Sequence, residues 1–472
     1  MARNFNPFDR RTIIFRMRRI MWFDVAGAKP AGCHLNLARR IALVVLFAWL
    51  APGFVGAQYI MEDIHNPRRY DPGNMIVPFV FYSPTYHFAG GLAYDGTGLL
   101  QPQTDTSFFA WGSEKGSYSI DFSATDYELR PIDRLFLNAN AGYRWDKDYT
   151  AYISGNPSFR FGPPAGTNDS DKYNFITTQG IDVYGNISLR YLLPIGRGAT
   201  SLVPHERLEN GILTAGGAGG RGWNPLVTGR TFLEFTPFVE DLSLHTPSTD
   251  LSEQPGRFHG DENGIRAGIL YDNVDFPLNP TSGNLSHFTF TRDFGWFNSS
   301  EAFTNLTGEF TQYFNLGRTL LFRQRVVAID LWTSYSPTWN QHVNGGFRTL
   351  EGSPPFYEGA TLGGSTRLRA YADNRFWDRA GIYGAAELRL TPVWNPLGDI
   401  KLLKFADITW VQWAVFVETG RVAPDYSWKI FDNLKSDAGL GIRILSNNTL
   451  VRVDVAVSPE GVGFRAMLSQ PF

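Results

Sequence analysis

The chain has 472 residues and a single cysteine, Cys33. One thiol excludes a disulfide framework and any cluster of thiolate ligands around a metal. Net charge is also scarce: 45 acidic residues against 43 basic ones leave a formal charge of −2. That balance argues against nucleic acid as a partner, which calls for a basic excess or a basic face. With 15% aromatic residues it equally argues against disorder. Long apolar runs are missing too. Residues 41–50, IALVVLFAWL, form the one marked run, well short of the ~20 residues a spanning helix needs. A helix-bundle membrane protein is thereby excluded.

The N-terminus has its own organisation. Residues 1–40 carry nine basic residues and two acidic ones, the apolar run follows, and Ala51-Pro52-Gly53 ends it. Val55-Gly56-Ala57 then offers a small-residue cleavage site before Gln58, the layout of a secretory signal peptide. We expect residues 1–57 to be a basic leader and signal peptide, 58–75 a short periplasmic segment, and 76–472 a single β-domain. The mature chain is then free of cysteine, which suits passage through an oxidising compartment.

The mature chain alternates with a period of two, the signature of a strand with two different faces. Leu135, Leu137, Ala139, Ala141, Tyr143 and Trp145 share one face, and Phe136, Asn138, Asn140, Gly142, Arg144 and Asp146 the other. The pattern recurs around 118–124, 181–191, 382–390, 411–417, 438–444 and 451–457. The longer runs reach ~9 to 13 residues, the tilted length that crosses a bilayer as a β-strand, whereas globular strands average nearer 5 or 6. Polar faces carry full charges, such as Glu387, Arg389, Arg443, Arg452, Asp454 and Arg465, which a wet lumen accommodates. Aromatics such as Tyr143, Trp145, Tyr191, Trp394 and Trp410 fall at strand ends, as in an interfacial girdle.

These features predict an all-β fold, a transmembrane antiparallel β-barrel of about 16 strands, even in number as single-chain barrels are. The strands should start near residues 75, 86, 105, 116, 134, 179, 231, 263, 284, 303, 318, 381, 409, 435, 449 and 461. Long gaps at 147–178, 244–262 and 333–380 read as outer loops, and short ones at Asn447-Asn448 and Pro459-Glu460 as periplasmic turns. The gap at 193–230 is anomalous, because strand parity puts it on the periplasmic side. The chain ends in Phe472, with Phe464, Ala466, Leu468 and Phe472 expected on one face of the last strand.

Three segments are more specific. The first joins two strands and contains Asp272, Asp275, Pro280 and Gly283, aspartates that can accept backbone hydrogen bonds and residues that set a tight turn. The second, in the longest loop, reads Gly363-Gly364-Ser365-Thr366-Arg367-Leu368-Arg369-Ala370-Tyr371. The third is Phe416-Val417-Glu418-Thr419-Gly420, whose Phe416 and Glu418 share a face with Gln412 and so point inward.

Together they resemble the superfamily of outer-membrane assembly and secretion barrels that includes BamA and TamA, the bacterial surface antigen proteins. The resemblance is strongest over residues 264–472. It implies that the sixth outer loop folds back into the lumen and that its arginine, Arg369, beside Leu368, Ala370 and Tyr371, meets a wall motif formed by Phe416, Glu418 and Gly420. An arginine and a carboxylate held away from solvent make a strong tether. The chain departs from the family pattern in Ala370, where glycine is usual, in Glu418, where aspartate is usual, and in Val274, where arginine is usual. Residues 58–75 are too few for a periplasmic POTRA domain, so a barrel-only member is expected.

The resemblance further implies a role in outer-membrane biogenesis: protein insertion, translocation or lipid handling. The partners would be the lipid bilayer, the outer-membrane assembly machinery and a periplasmic protein. A weak seam would join residues 75–82 to 461–472, with Pro78 and Pro471 each removing a hydrogen-bond donor. A passive porin is the alternative. No cofactor or metal is expected, and no enzyme: His259-Gly260-Asp261-Glu262 reads as a polar loop, and Asn168-Asp169-Ser170-Asp171 lacks regular calcium spacing.

Overall fold

The computed structural model describes residues 60–63, 73–83, 86–217, 219, 222–245, 257–344, 347–398, 400, 404, 407–446 and 449–472. All of these belong to one unit of the chain, Leu43–Phe472. The expected leader and the Asn447-Asn448 turn lie outside the described residues.

In chain order, β1 (Ile60–Asp63) is followed by β2 (Gly73–Ser83), β3 (His87–Thr97), β4 (Asp105–Ser113), β5 (Tyr118–Glu128), β6 (Leu135–Ala151) and β7 (Ile176–Leu192). Two short strands, β8 (His205–Glu209) and β9 (Ile212–Ala215), precede β10 (Arg230–His245), β11 (Arg257–Asp272), β12 (Gly283–Asp293), β13 (Thr304–Asn315) and β14 (Phe322–Tyr335). Four more are short: β15 (Asn340–Asn344), β16 (Phe347–Glu351), β17 (Ala360–Leu362) and β18 (Phe376–Asp378). The last five are β19 (Ala380–Pro392), β20 (Ile408–Ala423), β21 (Lys435–Ser446), β22 (Thr449–Ser458) and β23 (Gly461–Leu468).

Sixteen strands make one antiparallel sheet, each paired with the next along the chain, from β2 at one end to β23 at the other. Alternation explains why. On β20, Trp413, Val415 and Val417 are exposed while Gln412, Phe416 and Glu418 are buried; on β21, Leu440 and Ile442 face out and Arg443 faces in. An apolar outer face suits lipid and a charged inner face requires partners inside.

No ladder joins β2 to β23. The two edges nevertheless meet through side chains. Leu468 of β23 packs on the cluster of Phe79, Tyr86, Ala89 and Phe109, and Thr449 donates to Asp95 across the gap at 2.9 Å. Side chains thus bridge the two ends of the sheet where backbone hydrogen bonds do not.

Connections alternate between a loop end and a turn end. The turn end carries the anomalous segment, which folds into β8 and β9 and makes a three-stranded sheet with β1, parallel to β8. Its Leu208 packs with Phe276 of the β11–β12 turn, and Trp410, at the foot of β20, donates to the Gly211 carbonyl at 3.1 Å. That turn is the Asp272–Gly283 motif. Asp275 accepts from the backbone of Phe276 (3.0 Å), Thr281 (2.8 Å) and Ser282 (3.1 Å). Asp272 accepts from Val274 N at 3.2 Å and pairs with Arg230 at 3.0 Å. Pro280 is part of the same buried turn. Gly283 has φ +98°, and a Cβ there would stand 1.9 Å from the Asn273 carbonyl, so only glycine fits.

The structure corrects four expectations. β10 and β11 pair as far as His245 and Arg257, so His259-Gly260-Asp261-Glu262 is strand, not loop. Above the bilayer both faces of a hairpin are wet and alternation no longer marks it. Pro459-Glu460 lies at the loop end, because Glu460 pairs with Arg375 of the long loop at 2.8 Å. β23 stops at Leu468, and Ser469, with φ +89°, turns the tail inward. Phe472 therefore leaves the outward face of Phe464 and packs inside, and Pro471 is not part of the seam.

Glu206 of β8 is only 1% exposed, and burial pushes its carboxyl up to about 7. A folded pKa above the unfolded value gives stability that is present at low pH and lost as pH rises through the folded pKa. Amides of β8 and β9 should therefore exchange with deuterium more slowly at about pH 5 than at about pH 8, after correction for intrinsic rates. Glu206→Gln should abolish the difference.

Candidate functional site: the plugged lumen

The 336–379 connection between β14 and β19 enters the lumen. Its β15–β16 and β17–β18 hairpins stiffen it, and the β17–β18 hairpin sends residues 363–375 inward as a tip. Gly363 starts the tip with φ +104°, where a Cβ would stand 2.2 Å from the Ala372 carbonyl; Gly364 follows with φ +126°. The left-handed residue at the tip proper is Leu368, with φ +53°. Ala370 is not among the positive-φ residues, so alanine in place of the family glycine meets no conformational obstacle.

Arg369 has no solvent exposure. Its Nε donates to Glu418 Oε1 at 3.1 Å and its backbone N–H to Glu418 Oε2 at 2.7 Å. Nη1 reaches Asp454 Oδ2 at 2.7 Å and Glu387 Oε2 at 3.2 Å, and Nη2 reaches Glu387 at 3.2 Å. The guanidinium carbon stacks 3.4 Å from the centroid of Phe416, a cation–π contact that shields the charge from one side. Glu418, Asp454 and Glu387 thus surround the buried charge of Arg369.

The surrounding wall is a charge lattice. Arg389 donates to Glu387 at 2.8 Å, Arg443 bridges Glu387 at 3.1 Å and Asp454 at 2.5 Å, and Arg452 caps the Ser365 carbonyl at 2.9 Å. Asp437 accepts the Ala370 N–H at 2.9 Å. Four guanidinium groups thus stand among four carboxylates on adjacent strands, with Glu387 and Asp454 each shared by more than one arginine. Tyr383 donates to Glu418, and Tyr371 donates to the Ser436 carbonyl at 3.1 Å. Leu368, Ala370, Tyr371 and Phe416 share one buried cluster. Gly420 faces Leu362 of the loop, which a Cβ would meet at 3.0 Å.

The last strand is tied in as well. Arg465 of β23 donates to the Arg369 carbonyl at 3.2 Å and to Asp373 at 2.9 Å. Gly463 allows the tip backbone to lie against β23, because a Cβ there would be 2.3 Å from the Arg369 carbonyl. Below the lattice, Phe472 packs beside Arg389, whose guanidinium lies 5.3 Å from its ring. At the loop end, Arg375 holds Ser170 at 2.8 Å as well as Glu460, and Trp377 donates to the Tyr152 carbonyl at 2.7 Å. The 168–171 stretch spends its polar groups on such bonds: Asn433 donates to Asp169 at 2.7 Å. Among the described residues no group of side chains could hold a metal ion.

The structure therefore brings Arg369, Phe416, Glu418 and Tyr371 to one point. Sequence reasoning placed Glu387, Arg389, Arg443, Arg452 and Asp454 on inner faces but did not assign them to the plug. Asp437, Tyr383 and Gly463 were missed; their inward parity was the available signal.

The profile of the Omp85 superfamily domain matches residues 224–470, which include the loop, the wall motif and the last strand. The chain belongs to the Omp85 superfamily. Membership makes it an outer-membrane barrel of the assembly and translocation type. Among solved structures it is similar to BamA from Haemophilus ducreyi lacking POTRA domains 1–3, at 13% identity and TM-score 0.48, covering 85% of this chain and 70% of that one. It is also similar to CdiB from Acinetobacter baumannii (10%, TM-score 0.47, 83% and 59%) and from Escherichia coli (12%, 0.47, 84% and 62%). The chain thus spans less than two thirds of either CdiB chain. No curated protein matches it.

Arg369→Ala leaves three carboxylates facing an empty space, and breaking a buried pair costs about 3–5 kcal/mol. Limited proteolysis should then cut the 363–375 tip while the wall stays intact. Gly463→Val should expose the same tip through a steric clash with all charges kept.

Proposed function

We propose that this Omp85 barrel inserts or translocates proteins in outer-membrane biogenesis, with a separate protein supplying periplasmic domains. The observation that carries the reading is the unladdered edge between β2 and β23, beside a plug fastened to β23 through Arg465. An edge strand with unpaired backbone groups is a template for an incoming strand. Bridging by Leu468 and Thr449 side chains is weaker than a continuous ladder, so the edge can open without breaking the rest of the sheet. Pro78, within β2, removes one donor from that edge. A cationic or anionic solute has no open route through the lattice of Arg369, so the porin reading has less support. No catalytic role is part of this proposal.

Two measurements test it. A disulfide engineered between β2 and β23 should abolish insertion of a barrel client into proteoliposomes until reductant is added. Full activity in the oxidised form would sink the reading. Planar-bilayer conductance should be small and flickering in the wild type and large and steady in Arg369→Ala, whereas large, steady conductance in both would favour a porin.

A further inference from the structure

β14 alternates cleanly: Val326, Ala328, Asp330 and Trp332 are buried toward the lumen, which puts Val327, Ile329 and Leu331 on the lipid-facing side. Continuing that face toward the turn end gives Arg325, while Gln324 points inward, where it accepts from Asn279 at 2.9 Å. The ladder with β19 then shifts register between Phe322 and Gln324, and at this bulge Arg323 reaches the carbonyls of Pro392 and Val393 at the end of β19. Two guanidinium groups therefore stand together at the foot of this wall. Arg318 lies in the exposed 316–321 turn, directly after the Leu316 and Gly317 carbonyls that Arg325 holds.

The surroundings mark the depth. Phe322 and Trp394 each stack edge-on to Trp413, with centroids 6.2 Å apart in both pairs, and Leu320 and Leu321 are 98% and 59% exposed. Indole rings with neighbouring leucines open to the outside are the pattern of a membrane–water interface. Arginines on a lipid-facing wall at that level sit among headgroups, where phosphate is the available counter-charge.

The arginines are held in place and keep donors in reserve. Arg323 uses Nε and Nη2 on the carbonyls of Pro392 (3.0 Å) and Val393 (2.5 Å). Arg325 uses Nε and Nη2 on Gly317 (3.2 Å) and Leu316 (2.5 Å). In both, one edge of the guanidinium grips the turn and the Nη1 amino group takes no part. Among the described residues no acidic group forms an ion pair with any of the three.

We propose that Arg318, Arg323 and Arg325 bind the phosphate of an anionic phospholipid in the leaflet at the turn end, with Leu320 and Leu321 in its acyl region. Guanidinium groups already fixed on backbone carbonyls, as those of Arg323 and Arg325 are, lose little freedom when they take a phosphate. Three positive charges without carboxylate partners favour an anionic lipid over a zwitterionic one. The site lies on the wall between β13, β14 and β19, away from the β2–β23 edge, and anchors the barrel on a side that need not move.

The test is native mass spectrometry of the detergent-purified full-length protein titrated with phosphatidylglycerol or phosphatidylcholine. The wild type should retain phosphatidylglycerol about tenfold more tightly. Replacing all three, Arg318→Gln with Arg323→Gln and Arg325→Gln, should erase the preference, and the three Arg→Lys changes should keep most of it. Should the glutamine variant fail to fold, as read from heat-modifiable mobility, the turn variant Arg318→Glu alone should weaken phosphatidylglycerol binding about threefold. An unchanged preference in the folded glutamine variant or in Arg318→Glu overturns the proposal. So does displacement of the lipid by millimolar inorganic phosphate, which would make the site a plain anion site.

Discussion

A guanidinium group without solvent exposure, in the middle of a membrane barrel, determines most of what surrounds it. Arg369 must be met by carboxylates, and Glu418, Glu387 and Asp454 meet it. Those three acids would repel one another without further cations, which explains Arg389 and Arg443 on the same wall. The lattice spans β19 to β22, so the loop tip staples four strands together from inside. Geometry follows charge: the tip must lie flat against β23, and Gly463 leaves space for it.

The lumen is consequently two-sided. The half of the wall from β19 to β23 is dry and charged, and the tip fills it. The other half mixes ion pairs, Arg144 with Asp182 at 2.6 Å and Arg190 with Asp126 at 3.3 Å and Glu234 at 3.1 Å, with short polar side chains bonded across strands: Ser123 to Asn140 at 2.7 Å, Asn140 to Asn186 at 3.1 Å, and Thr236 to Ser188 at 2.8 Å. Beneath both, the β11–β12 turn with Val274 and the tail with Phe472 meet at Val326 and Ala328, so the lumen is closed from the loop end and from the turn end by separate pieces of chain. A valine at position 274 suits this apolar meeting point, where an arginine would need yet another carboxylate.

The β2–β23 edge shows the opposite economy. Fifteen neighbouring pairs in the wall share ladders, and this one relies on a leucine, a phenylalanine cluster and one hydroxyl. Because Arg465 also holds the tip, opening that edge and releasing the loop act on the same strand. A barrel that must stay sealed and yet admit a strand can place its weak line there, while aromatic and arginine contacts with lipid hold the far wall.

Strand positions were legible from alternation alone: the expected starts at 105, 134, 435, 449 and 461 fall within a residue or so of β4, β6, β21, β22 and β23. A bilayer forces each strand to show lipid one face and the lumen the other, and that demand is written locally in the residues. The inward direction of Phe416 and Glu418 came from the same rule. Other features depended on contacts between distant segments. The continuation of β10 and β11 past the bilayer, the inward turn at Ser469, and the end to which Pro459-Glu460 belongs are decided by contacts with other segments, such as that of Glu460 with Arg375, 85 residues away. So is the match of Arg369 to Glu387 and Asp454 as well as Glu418. A period of two tells which side of the wall a residue occupies; only the register of sixteen paired strands decides which charges share a depth.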